Sequence, residues 1–238
     1  MLDCSPRVIL VQNIGVFCIG DNLKAAKVAA DLTETNARVI SSVEETSKYK
    51  FISKKDIFDV EYWSLEQAKI KKETKELAGN VVVITGAFGK IGTATYKLFK
   101  KYGAEVVLID NNKKKVTEMS KKINDLCIYC DVTNKESVKK AFNLISSKFG
   151  GIDILISNAG TALGGPIAEV DDKILRKSFE DNFFSHQNCA AEATKIMKTQ
   201  NIEGCLLFNI SKQSVNPGKN FGPYGLPKSA LLNLCKQY

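Results

Sequence analysis

Tyr224-Gly225-Leu226-Pro227-Lys228 sets a phenol and an ammonium four positions apart, which is one face of a helix. A free phenol has a pKa of about 10, too high to exchange protons readily near neutrality. A neighbouring lysine cation favours the phenolate, so the pair can give a proton to a carbonyl oxygen or take one from an alcohol. Ser211, 13 positions earlier, offers a hydroxyl to hold the same oxygen; Ser214 competes for that role from deeper in the loop. Taken without context, Tyr224 and Lys228 read first as an ordinary pair on a helix surface.

A second cluster suits an anion. Val81-Val82-Val83-Ile84 is a β-branched run of the kind buried on both faces in a parallel sheet. Thr85-Gly86-Ala87-Phe88-Gly89-Lys90-Ile91-Gly92 follows, with glycines three apart. Ile91, Ala94, Thr95, Leu98, Phe99 and Tyr102 then recur at helical spacing. A strand, a glycine turn and a helix N-terminus place backbone N–H groups and a positive dipole end at one point, where a pyrophosphate fits. The strand from Glu105 to Ile109 ends at Asp110, 18 positions after Gly92. A carboxylate there suits the adenosine ribose hydroxyls and repels a 2′-phosphate, favouring NAD over NADP.

The elements that must position these groups alternate from Gly79 onward as βαβ units do. A short helix spans about 112–122, and a strand from Leu126 to Cys130 runs into Asp131-Val132. The next helix gathers Val138, Ala141, Phe142, Ile145 and Phe149 on one face and stops at Gly150-Gly151. A strand from Ile152 to Ile156 leads to Ser157 and Asn158-Ala159-Gly160, at the carboxyl edge where open α/β sheets bind ligands. A continuous helix is expected over about 171–200, with Leu175, Phe179, Asn182, His186 and Ala190 in phase. Asn182 on that apolar face requires a polar partner, whereas His186 reads as structural, since no second imidazole or carboxylate pair accompanies it. The strand from Cys205 to Ile210 reaches Ser211, and a last helix starts at about Tyr224. Pro227 fits that helix only in its first turn.

Residues 1–76 differ in character. Arg7–Gln12 and Val16–Ile19 read as a hairpin about Asn13-Ile14-Gly15, and Asp21 as the cap of a helix carrying Leu23, Val28, Leu32, Val39 and Val43. A second helix runs through Leu65, Ala68 and Ile70 into the charged run 71–76, a linker. This stretch is too sparse in apolar residues for a robust core of its own.

Composition narrows the function classes. The 238 residues are 44% hydrophobic and 25% charged, ordinary for a globular protein. The net charge of +8 is carried by scattered lysines with only Arg7, Arg38 and Arg176 as arginines. Base readers and phosphate clamps lean on arginine, so nucleic acid is not an expected partner. No run is apolar over the length of a bilayer and no secretory signal opens the chain, which leaves no membrane partner and a cytoplasmic default. One histidine, and a single C-x-x-C (Cys127 to Cys130) whose thiols point to opposite faces of a strand, argue against a metal.

From about Gly79 to Tyr238 the chain resembles the short-chain dehydrogenase/reductase family. The resemblance rests on Thr85-Gly86 with Gly89 and Gly92, Asp110, Asp131-Val132, Asn158-Ala159-Gly160, Asn182, Ser211 and Tyr224-x-x-x-Lys228, in the family's order. Departures are Lys90, where many members have glycine, and the bulky Phe88. The resemblance implies a Rossmann-like, doubly wound parallel α/β sheet over 77–238, incomplete at its C-terminal end, and an enzyme interconverting an alcohol and a carbonyl. It implies NAD or NADP along the loop from Thr85 to Gly92 (Phe88, Lys90 and Ile91 included) and Asp131 and Val132 by the adenine. Asn158, Ala159 and Gly160 lie under the cofactor, Tyr224 is the acid/base, Lys228 its partner and a grip on the nicotinamide ribose, Ser211 the oxygen anchor. Asn182 supports a water-linked relay. Family members commonly pair through the helices matching 171–200 and 224 onward, so a homo-oligomer is expected. Residues 56–72 resemble the junction of bifunctional proteins that fuse a rhamnulose-1-phosphate-type class II aldolase to such a dehydrogenase. Residues 1–76 would then be an α+β aldolase remnant, and a sugar-derived hydroxyaldehyde the substrate. The zinc-binding histidines of such an aldolase are missing. A module that binds cofactor without turnover, or serves in assembly, is the alternative.

Overall fold

A computed structural model describes residues 6–65 and 75–238. The chain divides into two units, Met1–Gly79 and Asn80–Tyr238.

In the first unit β1 (Val8–Val11) and β2 (Gly15–Cys18) pair antiparallel, Val8 opposite Cys18. Their turn places Asn13 at φ 62°, a left-handed conformation that asparagine tolerates. The long helix α1 (Leu23–Glu44) is capped by Asn22, whose side chain accepts from Ala25 N at 2.9 Å. Asp21, the expected cap, instead pairs with Arg7 at 3.2 Å. Ser53 caps α2 (Lys54–Glu61). Neither helix buries a residue fully. Ala68 and Ile70 of the expected second helix, and most of the charged run, lie outside the described residues.

The second unit is built on one parallel sheet. Its strands are β3 (Val81–Thr85), β4 (Glu105–Asp110), β5 (Leu126–Tyr129), β6 (Ile154–Ser157) and β7 (Cys205–Phe208), in the order β5-β4-β3-β6-β7. All five residues of β3 are buried, as a central strand covered on both faces requires. Val81, Val83, Val107 and Ile109 face a core closed by α5 (Lys135–Phe149) and α7 (Ser185–Gln200), through Val138, Phe142, Ile145, Ala190 and Ala193. The alternate residues Val82, Ile84, Val106 and Leu108, also buried, point to the other face. There α3 (Lys90–Lys101) packs on β3 and β4. The short α4 (Lys113–Ser120) links β4 to β5. Strand order reverses between β3 and its neighbours β4 and β6, opening a crevice at the carboxyl ends.

Two local expectations are corrected, and a third element buries a face its spacing does not reveal. The helix over 171–200 is not continuous: α6 (Asp172–Phe179) passes through a π turn, Glu180–Phe184, into α7. Asn182 Nδ2 donates to the Ser178 carbonyl at 3.1 Å, competing for it within the helix, and the Ser185 N–H reaches back five residues to Glu180 O. On α3 the apolar repeat is not the buried face: Ile91, Ala94 and Leu98 are exposed, and Gly92 makes the contact beneath. The final helix α8 (Gly222–Cys235) begins before Tyr224, with Pro223 in its first turn and Pro227 a turn later, inside the helix.

Candidate active site

The glycine turn is fixed by close backbone contacts and by side-chain bonds from the residues around it. Gly86 has φ 61°, and a Cβ on it would lie 2.9 Å from Ala159 Cα. A Cβ on Gly92 would meet Gly86 O at 2.4 Å, so α3 sits directly on the turn. Gly89 precedes α3 without a side-chain cap, and no acidic residue stands in the first turn. The first N–H groups therefore have no intrahelical partner. Phe88 N donates to Asp110 Oδ2 at 3.0 Å, and Asn112 N to Oδ1 at 2.9 Å. One carboxylate thus ties the turn to the tip of β4.

Beside it, Asn158 Nδ2 donates to Thr85 O at 3.0 Å, and its Oδ1 accepts from Asn209 Nδ2 at 2.9 Å. The Asn209 carbonyl in turn accepts from Lys228 Nζ at 2.9 Å. Amides thereby link the ends of β3, β6 and β7 to α8. Asp131 Oδ1 accepts from Thr133 N and Oγ1, and the Val132 carbonyl from Asn188 Nδ2. Burial pushes the neighbouring Cys130 thiol up, which keeps it protonated. Cys127 and Cys130 bond to different partners, Asp125 O and Ser137 Oγ.

On α8, Lys228 is 3% exposed, with its Nζ 5.8 Å from the Tyr224 ring centroid. Burial lowers the ammonium to about 8. Its Nζ also lies 3.3 Å from His186 Nε2, while His186 Nδ1 lies 2.7 Å from Ser157 Oγ. Asn182, fully buried in the π turn, donates to Thr161 O and Ser178 O and accepts from Thr161 N. A Cβ on Gly160 would sit 2.7 Å from Asn182 Oδ1 and 3.7 Å from Lys228 Nζ, so only glycine passes between them.

These groups border one cleft of about 760 Å³. Of the expected cofactor residues, Gly86, Phe88, Gly89, Lys90 and Ile91 line it from the turn, Asp110, Asp131 and Val132 from the strand ends, and Asn158, Ala159 and Gly160 from the loop after β6. Asn182, Tyr224 and Lys228 line it as well. Three expected residues do not. Thr85 is 1% exposed, and its hydroxyl accepts from Asn158 N and Ala159 N. Gly92 is buried under the turn. Ser211 Oγ accepts from Gln213 N at 3.3 Å as the cap of a 3₁₀ turn, Lys212–Ser214. Asn209 was missed; its only sequence signal is a polar residue closing an apolar strand at the edge where ligands bind. His186, read as structural, touches the Lys228 amine.

The residues present fit a dinucleotide: free backbone donors at the head of α3, and carboxylates at the ends of β4 and β5. Sheet, crevice and glycine turn define a Rossmann-type nucleotide-binding domain. The family described as short chain dehydrogenase matches residues 80–238, and the chain belongs to it. Residues 1–70 match the family described as aldolase class II, second domain, an order that resembles an aldolase–dehydrogenase junction. An uncharacterized oxidoreductase of Bacillus subtilis (strain 168), YuxG, is 31% identical over 99% of this chain and 36% of its own length. Short chain aldehyde dehydrogenase 1 of Euphorbia lathyris is 34% identical over 68% of this chain and 58% of its own length. The chain therefore spans well under two thirds of either relative. Among solved structures, NAD+-bound xylitol dehydrogenase superposes with a TM-score of 0.65 at 27% identity, covering 68% of this chain and 65% of that one. Among the described residues no helix is long and apolar enough to cross a membrane.

Proposed function

We propose that residues 77–238 form an NAD-dependent oxidoreductase domain that interconverts a small alcohol and its carbonyl. The observation that carries this reading is the cleft itself, which Tyr224 and the buried Lys228 share with the uncapped head of α3. The first-turn N–H groups of α3 hold the pyrophosphate, Asp110 the adenosine ribose, Asp131 and Val132 the adenine. The Asp110 charge disfavours a 2′-phosphate and so selects NAD. NAD, when bound, supplies the hydride acceptor. Tyr224 takes the hydroxyl proton of the alcohol as its C–H hydrogen leaves with both electrons, and returns it to the carbonyl oxygen in reduction. Lys228 provides positive charge beside that transfer and reaches the nicotinamide ribose. Asn182 orders the loop at Thr161 and supports a relay toward Lys228, and Ser211 anchors the substrate oxygen. A polyol or sugar-derived hydroxyaldehyde is the substrate class, supported by the xylitol-named structure and by the aldolase-like segment.

One observation favours a second reading, nucleotide binding without turnover: Ser211 is not among the residues lining the cleft. Titration with NADH and NADPH, together with turnover on a panel of polyols and hydroxyaldehydes, separates the two. The proposed enzyme binds NADH more tightly than NADPH and turns over at least one member. Tyr224→Phe is expected to lose about a thousandfold or more in kcat, general acid–base catalysis being worth about 10²–10⁴. Its NADH affinity should stay within a few-fold. Turnover undiminished in Tyr224→Phe would remove the assigned proton donor.

A further inference from the structure

Among 238 residues there is one histidine, and it is 1% exposed. It lies beside the buried Lys228, a cation to which no carboxylate bonds among the described residues. A buried ammonium without a counter-ion must have its N–H groups individually accepted. Asn209 O takes one at 2.9 Å, and His186 Nε2 stands at 3.3 Å for another.

The chemistry fixes the tautomer. An ammonium only donates, so Nε2 accepts, and the imidazole proton resides on Nδ1 and is donated to Ser157 Oγ at 2.7 Å. Burial, and then the Lys228 charge, push His186 down to about 3, so the ring stays neutral where the enzyme works. Ser157 closes β6 and is itself buried. The titratable groups beside Nζ are Tyr224 from its own helix and His186 from α7; the residue after β7 presents the Asn209 carbonyl, and the π turn the Asn182 amide across Gly160.

We propose that His186 is a positioning residue: a neutral imidazole, oriented by Ser157, that with the Asn209 carbonyl holds the Lys228 amine so that one N–H remains for the cleft beside Tyr224. The inference rests on the assignment of Lys228 to the proton-transfer machinery, but its central claim concerns the amine alone. An aliphatic side chain at 186 leaves a buried ammonium with one protein acceptor, which disfavours the charged form.

The test needs neither cofactor nor substrate. Lysines labelled with ¹³C at Cε are titrated by NMR in the full chain, with Lys228→Met assigning the resonance. In His186→Leu the Lys228 titration is expected to move about one pH unit below its starting point, so that the ammonium population at pH 9 falls about tenfold. His186→Gln, which keeps an acceptor at that reach, is expected to bring it back close to the wild-type value. Ser157→Ala, which keeps the ring and removes its lock, should move it in the same direction as leucine and serves where the leucine variant does not fold. An unshifted titration in the leucine or alanine variant would overturn the proposal, as would equal shifts in leucine and glutamine. In the active enzyme the alkaline limb of the kcat profile should follow the amine downward. A wild-type chain that turns nothing over removes the proposed activity and leaves the NMR result standing on its own.

Discussion

Replacing Lys228 by methionine tests the energetics of the site through the stability of the fold. The side chain is 3% exposed, and burial takes its ammonium from an ordinary 10.5 to about 8. That fall corresponds to about 3 kcal/mol of preference for the neutral amine in the folded chain. Below about pH 8 folded and unfolded chains both carry the proton, and the folded state bears the cost in full. Between about 8 and 10.5 only the unfolded chain keeps it, so stability from this group rises with pH. Methionine has a similar length and no charge. Its gain at pH 7 is offset by the Asn209 carbonyl and His186 Nε2, each left without a donor at roughly 1 kcal/mol apiece. The offset does not depend on pH, since His186 stays neutral throughout. The advantage of Lys228→Met over the wild type should therefore shrink by about 2 kcal/mol between pH 7 and pH 10. Urea unfolding of both proteins at pH 7, 8, 9 and 10, followed by circular dichroism, measures it. A difference that stays constant across that range would show that the amine is not held as a costly buried cation, and the argument from its burial would fail.

Two substitutions probe the nucleotide end of the cleft. Gly92→Ala puts a Cβ 2.4 Å from Gly86 O and 2.7 Å from Ala87 Cα, both backbone. Relieving that overlap should cost about 1–3 kcal/mol in thermal unfolding and weaken NADH binding about tenfold or more by calorimetry, a loss that lifting α3 off the turn explains. Asp110→Ala frees the Phe88 and Asn112 N–H groups and removes the charge proposed to disfavour a 2′-phosphate. Fluorescence titration should show weaker NADH binding and an NADPH/NADH affinity ratio raised about tenfold, the scale of one charged hydrogen-bonding group; an unchanged ratio would clear Asp110 of selecting the cofactor.

The architecture was legible because the central strands β3 and β4 are buried on both faces and announce themselves as apolar runs. Val81–Ile84 and Glu105–Ile109 did so, and the glycines between them had no other economical use. Asp110 stood out because it ends such a run. What stayed hidden depends on single hydrogen bonds. The break at Glu180–Phe184 preserves the apolar phase of Phe179, Asn182 and His186, so periodicity is blind to it; only the claim of Asn182 on the Ser178 carbonyl marks the place. Asp21 and Asn22 are both good caps, and the pairing of Asp21 with Arg7 decides between them across 14 residues. The exposed Ile91 and Leu98 on α3 show a different limit. The buried contact there is made by a glycine, which carries no hydropathy signal. Thr85 and Ser211 were recognisable by position, yet hydropathy does not register that their hydroxyls accept from backbone N–H groups, of Asn158 and Ala159 and of Gln213.

The hydrogen bonds around Lys228 form a closed circuit, and this explains how a flexible four-carbon side chain is given one place. Ser157 and Asn158 are consecutive, the last residue of β6 and the first beyond it. From Ser157 the path runs through His186 to Nζ; from Asn158 it runs through Asn209 to the same atom. Thr85 fixes Asn158 from the neighbouring strand, and Asn158 in turn holds the carbonyls of Thr85 and Gly86 at the glycine turn. The end of β6 is therefore bonded both toward the amine and toward the glycine turn. Substitutions along either arm are accordingly expected to couple to each other and to the glycine turn rather than add as independent losses.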